Sequence, residues 1–166
     1  MFSIGALTLQ QWFAGLYGHT DITSEPMSAG RQMGGHFGTH SLNEDGSFKA
    51  LIEQKNSSSD ISPTSGQMPR LLGLAYASHF YRINKDLQVA PFTNFSNKGN
   101  EVAFGTIGDA STSEGLFWET INAGGVLQVP MLVSVWDDGH GISVPKKYQT
   151  TKESISEILK GFQRDG

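Results

Sequence analysis

One stretch constrains this chain more than any other: two apolar runs, 101–107 and 129–136, separated by a helical period over 112–127. Val102, Ala103, Phe104 and Ile107 read as a strand buried on both faces. Leu116, Phe117, Thr120, Ile121 and Gly124 share one face of the helix between the runs. Strand, helix, strand at this spacing is a parallel unit with a right-handed crossover. Each run ends in a Gly/Asp-rich loop, Gly108-Asp109-Ala110-Ser111-Thr112-Ser113-Glu114-Gly115 and Trp136-Asp137-Asp138-Gly139-His140-Gly141-Ile142-Ser143. Both loops fall at the carboxyl edge of the same sheet, where open α/β sheets bind their ligands. The expected class is α/β, a parallel sheet with helices on both faces.

Asp109 and Asp138, 29 residues apart, stand at the two strand ends. Magnesium takes octahedral oxygen ligands and is usually held by one or two carboxylates, substrate phosphates and water. Two carboxylates and a backbone carbonyl, that of His140, supply the protein's share. The N–H groups of Ala110 and Ser111, at the start of a helix, suit phosphate oxygens. The plainer alternative is that Asp109 only caps a helix and Asp137-Asp138-Gly139 is only a turn. The paired spacing favours the metal.

With 166 residues, one domain spanning 1–166 is the default. A net charge of -4 argues against a nucleic-acid partner, for which a basic stripe is expected. No apolar run has the length of a membrane span, and no export signal opens the chain. The absence of cysteine removes disulfides, thiol nucleophiles and thiolate metal sites. A soluble cytoplasmic protein is the simplest reading.

Elsewhere, Leu9, Trp12, Phe13 and Leu16 make the stripe of a helix over 6–17, ended by Gly18. Residues 19–48 have no period and read as a long loop. Arg31 and His36 in it could touch an anion, although solvated surface side chains are the commoner use of such residues. His36 and His40 have zinc-ligand spacing only on a helix, which Gly34, Gly35 and Gly38 make improbable. A short helical turn is expected over 47–54 and a second full helix over 69–83, with Pro69 in its first turn. Gly73, Ala75 and Ala77 suit close approach to the sheet, and His79 reads as a partly buried packing residue. A short edge strand is expected around 87–90. Thr150 and Glu153 form a capping box ahead of a last helix bearing Ile155, Ile158, Leu159 and Phe162.

These motifs together resemble the alpha subunit of thiamine-diphosphate-dependent 2-oxoacid dehydrogenases, the branched-chain type above all. The family's cofactor motif opens with Gly-Asp-Gly and closes with Asn-Asn; here stand Gly108-Asp109-Ala110 and Asp137-Asp138. Ser113-Glu114-Gly115 also matches, and His140-Gly141-Ile142-Ser143 replaces the family's Tyr-Ala-Ile-Ser. Upstream, Gly30-Arg31-Gln32-Met33 and His36-Phe37-Gly38 fit a Gly-Arg-Gln-Met…His-Tyr-Gly stretch. Ser62-Pro63 through Gln67, Pro69, Gly73, Ala75, Tyr76 and Ala77 fit another.

The resemblance implies a partial thiamine-diphosphate-binding fold. It also implies magnesium held by Asp109, Asp138 and the His140 carbonyl, with a diphosphate lined by Gly108, Ala110 and Ser111. Ser62 and Thr64 would contact the aminopyrimidine through backbone groups. The expected partners are a beta subunit, or a beta-like half of the same protein, a lipoyl-bearing acyltransferase and a 2-oxoacid. Three departures stand out. Asp138 replaces a neutral Asn, Trp136 replaces a basic residue near the diphosphate, and Gly66 replaces a threonine that helps hold potassium. The family's upstream Tyr-Arg pair, its downstream histidine-bearing loop and the beta subunit's activating glutamate have no counterpart here. The expectation is therefore a chain truncated at both ends and inactive alone, or else a degenerate domain that only binds a partner.

Overall fold

A computed structural model describes residues 2, 5–32, 38–58 and 61–163. The chain forms two compact units, Met1–Ile61 and Ser62–Gly166. Among the described residues no helix is long and apolar enough to cross a membrane.

In the first unit, helix α1 (Leu9–Leu16) starts later than its apolar period because Thr8 caps it. The Thr8 hydroxyl accepts from Gln11 N–H while the Gln11 side chain accepts from Thr8 N–H, a reciprocal capping box. Gly18, at φ +62°, ends the helix as expected, and the following His19 N–H returns to the Ala14 carbonyl. The segment after it is irregular in backbone yet tightly bonded. Glu25 is 1% exposed, and its carboxylate accepts from the N–H groups of Met27, Ser28 and Gly30 and from the Ser28 hydroxyl. Burial pushes this carboxyl up, but those four donors pull it further down, so it titrates below the usual glutamate range. Gly30 sits at φ +73° against Gly18, where a Cβ would lie 2.5 Å from the Gly18 carbonyl oxygen. Met33, His36 and Phe37 lie outside the described residues. Further on, an isolated antiparallel bridge joins Leu42 to Phe48, and a single 3-10 turn (Leu51–Glu53) stands in the expected helical stretch.

The second unit is built on α2 (Gln67–Ile83), β1 (Ala103–Gly108), α3 (Gly115–Leu127) and β2 (Met131–Trp136). β1 and β2 pair in parallel from Ala103↔Met131 to Gly108↔Trp136, with α3 as the crossover. The α/β class and the strand–helix–strand unit therefore stand as expected. Met68, Leu71, Ile107, Phe117 and Ile155 form the core, with Ala103, Met131, Val133 and Val135 from the strands packed against it. All of these strand residues lie on one face, since side chains alternate along a strand. α2, α3 and α4 (Ile155–Leu159) cover that face.

The other face of the strands carries Phe104, Leu132 and Trp136, at 61, 56 and 69% exposed. Burial of β1 on both faces is thus not what this chain provides. Close approach of α2 to the sheet also has a different source from the one expected. Ala75 is buried, but Gly73 and Ala77 are exposed, and the room comes from Gly105. A Cβ there would lie 2.7 Å from Leu71 Cδ2. His79 is half-buried, as expected, and stacks on Tyr76.

Two local expectations fail. No strand forms at 87–90; that stretch follows a 3-10 turn (Lys85–Leu87) and leads into a cis Ala90-Pro91 bond and a second 3-10 turn. The last helix is capped not by Thr150 but by Ser154, whose hydroxyl accepts from Glu157 N–H. Glu153, at φ +57°, cannot continue a right-handed turn, so the cap falls on the next residue and the helix starts at Ile155.

Candidate metal and phosphate cradle

Asp109 follows β1 directly, and its N–H extends the parallel ladder by donating to the Trp136 carbonyl at 3.1 Å. The pairing sets the two strand-end loops side by side. The chain turns at once into a 3-10 helix (Ala110–Ser113), closed by the Thr112 hydroxyl and N–H, which both donate to the Asp109 carbonyl. That turn pulls the Asp109 side chain inward. It is 2% exposed, and its Oδ2 is buried with no hydrogen-bond donor. A buried carboxylate oxygen without a donor is costly unless a cation meets it. On chemistry, this atom fits a hard divalent metal.

The second loop is a hairpin. Asp137 and Asp138 lead through Gly139, at φ +80°, into β3 (His140–Gly141), which pairs antiparallel with β4 (Val144–Pro145). Lys146 then returns to the start of the loop. Its N–H donates to the Gly139 carbonyl at 2.8 Å, and its Nζ lies 2.6 Å from Asp137 Oδ2. The hydrogen bond from Lys146 holds the Asp137 carboxyl below the usual range, and Asp137 in turn holds the lysine above its own. Asp109 acts on both groups, through a side-chain contact on Asp137 and by charge on Lys146. The hairpin also rests on the first loop. A Cβ on Gly141 would lie 2.7 Å from the Ala110 Cβ, and the Ser113 hydroxyl donates to the Gln149 carbonyl at 3.3 Å.

The residues singled out from the sequence fall as follows. Asp109, Ala110 and Ser111 line one loop, with Gly108 at the end of β1. Asp138 and His140 stand exposed on the other, and Asp138 Oδ1 accepts from His140 N–H at 3.0 Å. Among the described residues no three His, Asp or Glu side chains converge on one point, so the loops bring two carboxylates and a carbonyl rather than a closed cage. Ser62 and Thr64 are exposed in the turn before α2, where Gly66 N–H donates to the Pro63 carbonyl. The same turn is tied to β1, as Gln67 Nε2 donates to the Thr106 carbonyl at 3.4 Å.

Two residues, Lys146 and Ser65, escaped the sequence reading, and Asp137 was read there only as part of the loop and its motif, with no role of its own. Ser65 sits at φ +64°, 1% exposed, with its hydroxyl unpartnered. For Lys146 the signal was present, because Gly139 and Pro145 bracket a short hairpin that returns the next residue to Asp137.

An α/β unit with acidic and backbone-rich loops at its strand ends is the kind of domain that holds the charged end of a phosphorylated cofactor. Residues 6–163 match the family described as Dehydrogenase E1 component, and the chain belongs to that family. It is similar to the 2-oxoisovalerate dehydrogenase subunit alpha of Bacillus subtilis (strain 168), 29% identical over 144 residues, 86% of this chain. It is also similar to the mitochondrial 2-oxoisovalerate dehydrogenase subunit alpha of Caenorhabditis elegans, 26% identical over 149 residues, 90% of this chain. These stretches make up 34 and 27% of the two relatives, so the chain spans between about a quarter and a third of their length.

Proposed function

We propose that this chain is the diphosphate- and magnesium-binding part of a thiamine-diphosphate-dependent 2-oxoacid dehydrogenase. The observation that carries the reading is the buried, donor-free Asp109 Oδ2 at the end of β1, beside the loop that follows β2. Asp109 and Asp138 would be the side-chain ligands of the metal, with the His140 carbonyl as a third oxygen. Gly108, Ala110 and Ser111 would line the diphosphate. Ser62 and Thr64 would meet the aminopyrimidine through their backbone groups.

The division of labour follows from charge. When bound, thiamine diphosphate supplies the electron sink for decarboxylating a 2-oxoacid. The residues of this chain orient the charged tail. Asp109 is already desolvated, so it has little hydration left to lose when a metal arrives. The first N–H groups of the 3-10 turn have no carbonyl one turn back within it and are available to phosphate oxygens. Activation of the ring falls to a glutamate of a beta subunit, and the acyl group passes to a lipoyl-bearing acyltransferase.

A second reading is favoured by two observations: Asp138 Oδ1 is already engaged by its own turn, and Trp136 is exposed where the family has a basic residue. On that reading the chain is a degenerate, non-catalytic domain that only binds its partner. Turnover of a panel of 2-oxoacids by the intact protein with its beta partner, thiamine diphosphate and magnesium separates the two. Decarboxylation of any member supports the enzyme. A stable complex that neither decarboxylates nor takes up the cofactor supports the scaffold.

A further inference from the structure

Three carboxylates, Asp109, Asp137 and Asp138, stand within two adjoining loops, and like charges so placed repel. Lys146 is the cation that meets two of them, bonded to Asp137 and within charge reach of Asp109. Its side chain is 17% exposed against 38% for Asp137, so the lysine side chain is the more enclosed of the pair. Its backbone is fixed on both sides. The N–H donates to the Gly139 carbonyl at 2.8 Å, and its carbonyl accepts from Gln149 at 2.8 Å and Thr150 at 2.9 Å. Asp137 Oδ1 accepts in turn from Gly139 N–H at 3.1 Å. Lys146 and Asp137 therefore close the base of the hairpin that carries Asp138 and His140, and Gly141 in that hairpin lies against Ala110.

We propose that Lys146 is a positioning residue of the cradle: clamped on Asp137, it holds the 137–146 hairpin against Ala110, so that Asp138 and the His140 carbonyl face the ligand held by Asp109. This rests on the cofactor reading above. The pair also accounts for the departure at 137, where the family has Asn. A neutral amide there needs no counter-ion, whereas an aspartate beside Asp109 does. Partners that orient metal ligands from outside typically matter about ten- to a hundredfold in metal affinity.

The test is calorimetric titration of magnesium–thiamine diphosphate into the intact protein with its beta partner, for the parent, K146M, D137N and D137N/K146M. Removing the lysine alone leaves Asp137 uncompensated, and uptake is expected to weaken about tenfold. In the D137N background there is no charge to compensate, so the same removal is expected to cost less than about threefold. An unchanged affinity in K146M overturns the proposal. So does a loss that persists at full size when D137N is compared with D137N/K146M, which would mean that Lys146 acts directly rather than through Asp137. Should K146M not fold, comparison of D137N with D137N/K146M decides alone, with a difference of less than about threefold expected and a tenfold gap contradicting. A parent that takes up no cofactor overturns the cofactor reading and this proposal with it, whereas a parent that binds while K146M binds equally well overturns this proposal only.

Discussion

The Cβ of Ala110 occupies the space that a Cβ on Gly141 would need, 2.7 Å away. The branched-chain motif has the two sizes the other way round, glycine after the aspartate and alanine in the later loop. The two strand-end loops meet at the Ala110 methyl group, beside the hydrogen bonds from Asp109 N–H to the Trp136 carbonyl and from the Ser113 hydroxyl to the Gln149 carbonyl.

Gly141→Ala alone puts two methyl groups in one place and also crowds Gln149 Nε2. It is expected to destabilise the second unit by about 1–3 kcal/mol, as overpacking does. Adding Ala110→Gly is expected to recover a large part of the loss, the remainder residing with Gln149. Chemical denaturation of the parent, the two single variants and the double variant measures this; strict additivity of the two changes would contradict the contact.

Phe117 is fully buried at the centre of the core, edge-on to Trp118 with ring centroids 4.9 Å apart. Phe117→Ala is expected to cost about 3–5 kcal/mol. Tryptophan emission followed through urea unfolding checks this.

Glu25 organises the irregular stretch of the first unit from inside, and Glu25→Gln places an amide NH2 against N–H donors. The expected loss is about 1–3 kcal/mol in local stability. Because the folded carboxyl is held below its ordinary range, its contribution is complete above the unfolded value of about 4.3 and is lost as pH falls through the lower folded value. Hydrogen-exchange protection at Met27, Ser28 and Gly30 should fall over that acid window in the parent. In the glutamine variant it should already be low and insensitive to acid.

Ser154 caps α4. Ser154→Ala is expected to cost about 1 kcal/mol, because one N–H at the helix start loses its acceptor. A thermal melt detects it.

How far the chain could be read without coordinates varied with the kind of feature. The strand–helix–strand unit was legible because Val, Ile and Phe runs flank a clear 3.6-residue period, and Gly108 and Gly139 mark the turns. Backbone conformation at single residues was not. Nothing in the letters Thr150-Thr151-Lys152-Glu153-Ser154 says that Glu153 takes a positive φ, and that conformation alone moves the cap by four residues. Phe104 reads as buried because it is apolar, and Leu132 and Trp136 belong to the second apolar run. Sequence shows which side chains favour burial, not whether the same chain supplies the layer that covers them. In the candidate site, Asp109 was legible from its place after a strand. The Asp137–Lys146 pair had only the bracketing Gly139 and Pro145 to mark it, because its hairpin is two residues deep per strand, too short to leave a period.

The central claim is that Asp109, buried at the end of β1, receives a metal bound to a diphosphate. Calorimetric titration of magnesium–thiamine diphosphate into the intact protein and its Asp109→Asn variant, each with its beta partner, tests it most directly. A saturable heat in the parent that weakens by at least about a hundredfold in the variant is the expected result. Uptake of equal affinity in both, or none in the parent, would contradict the claim.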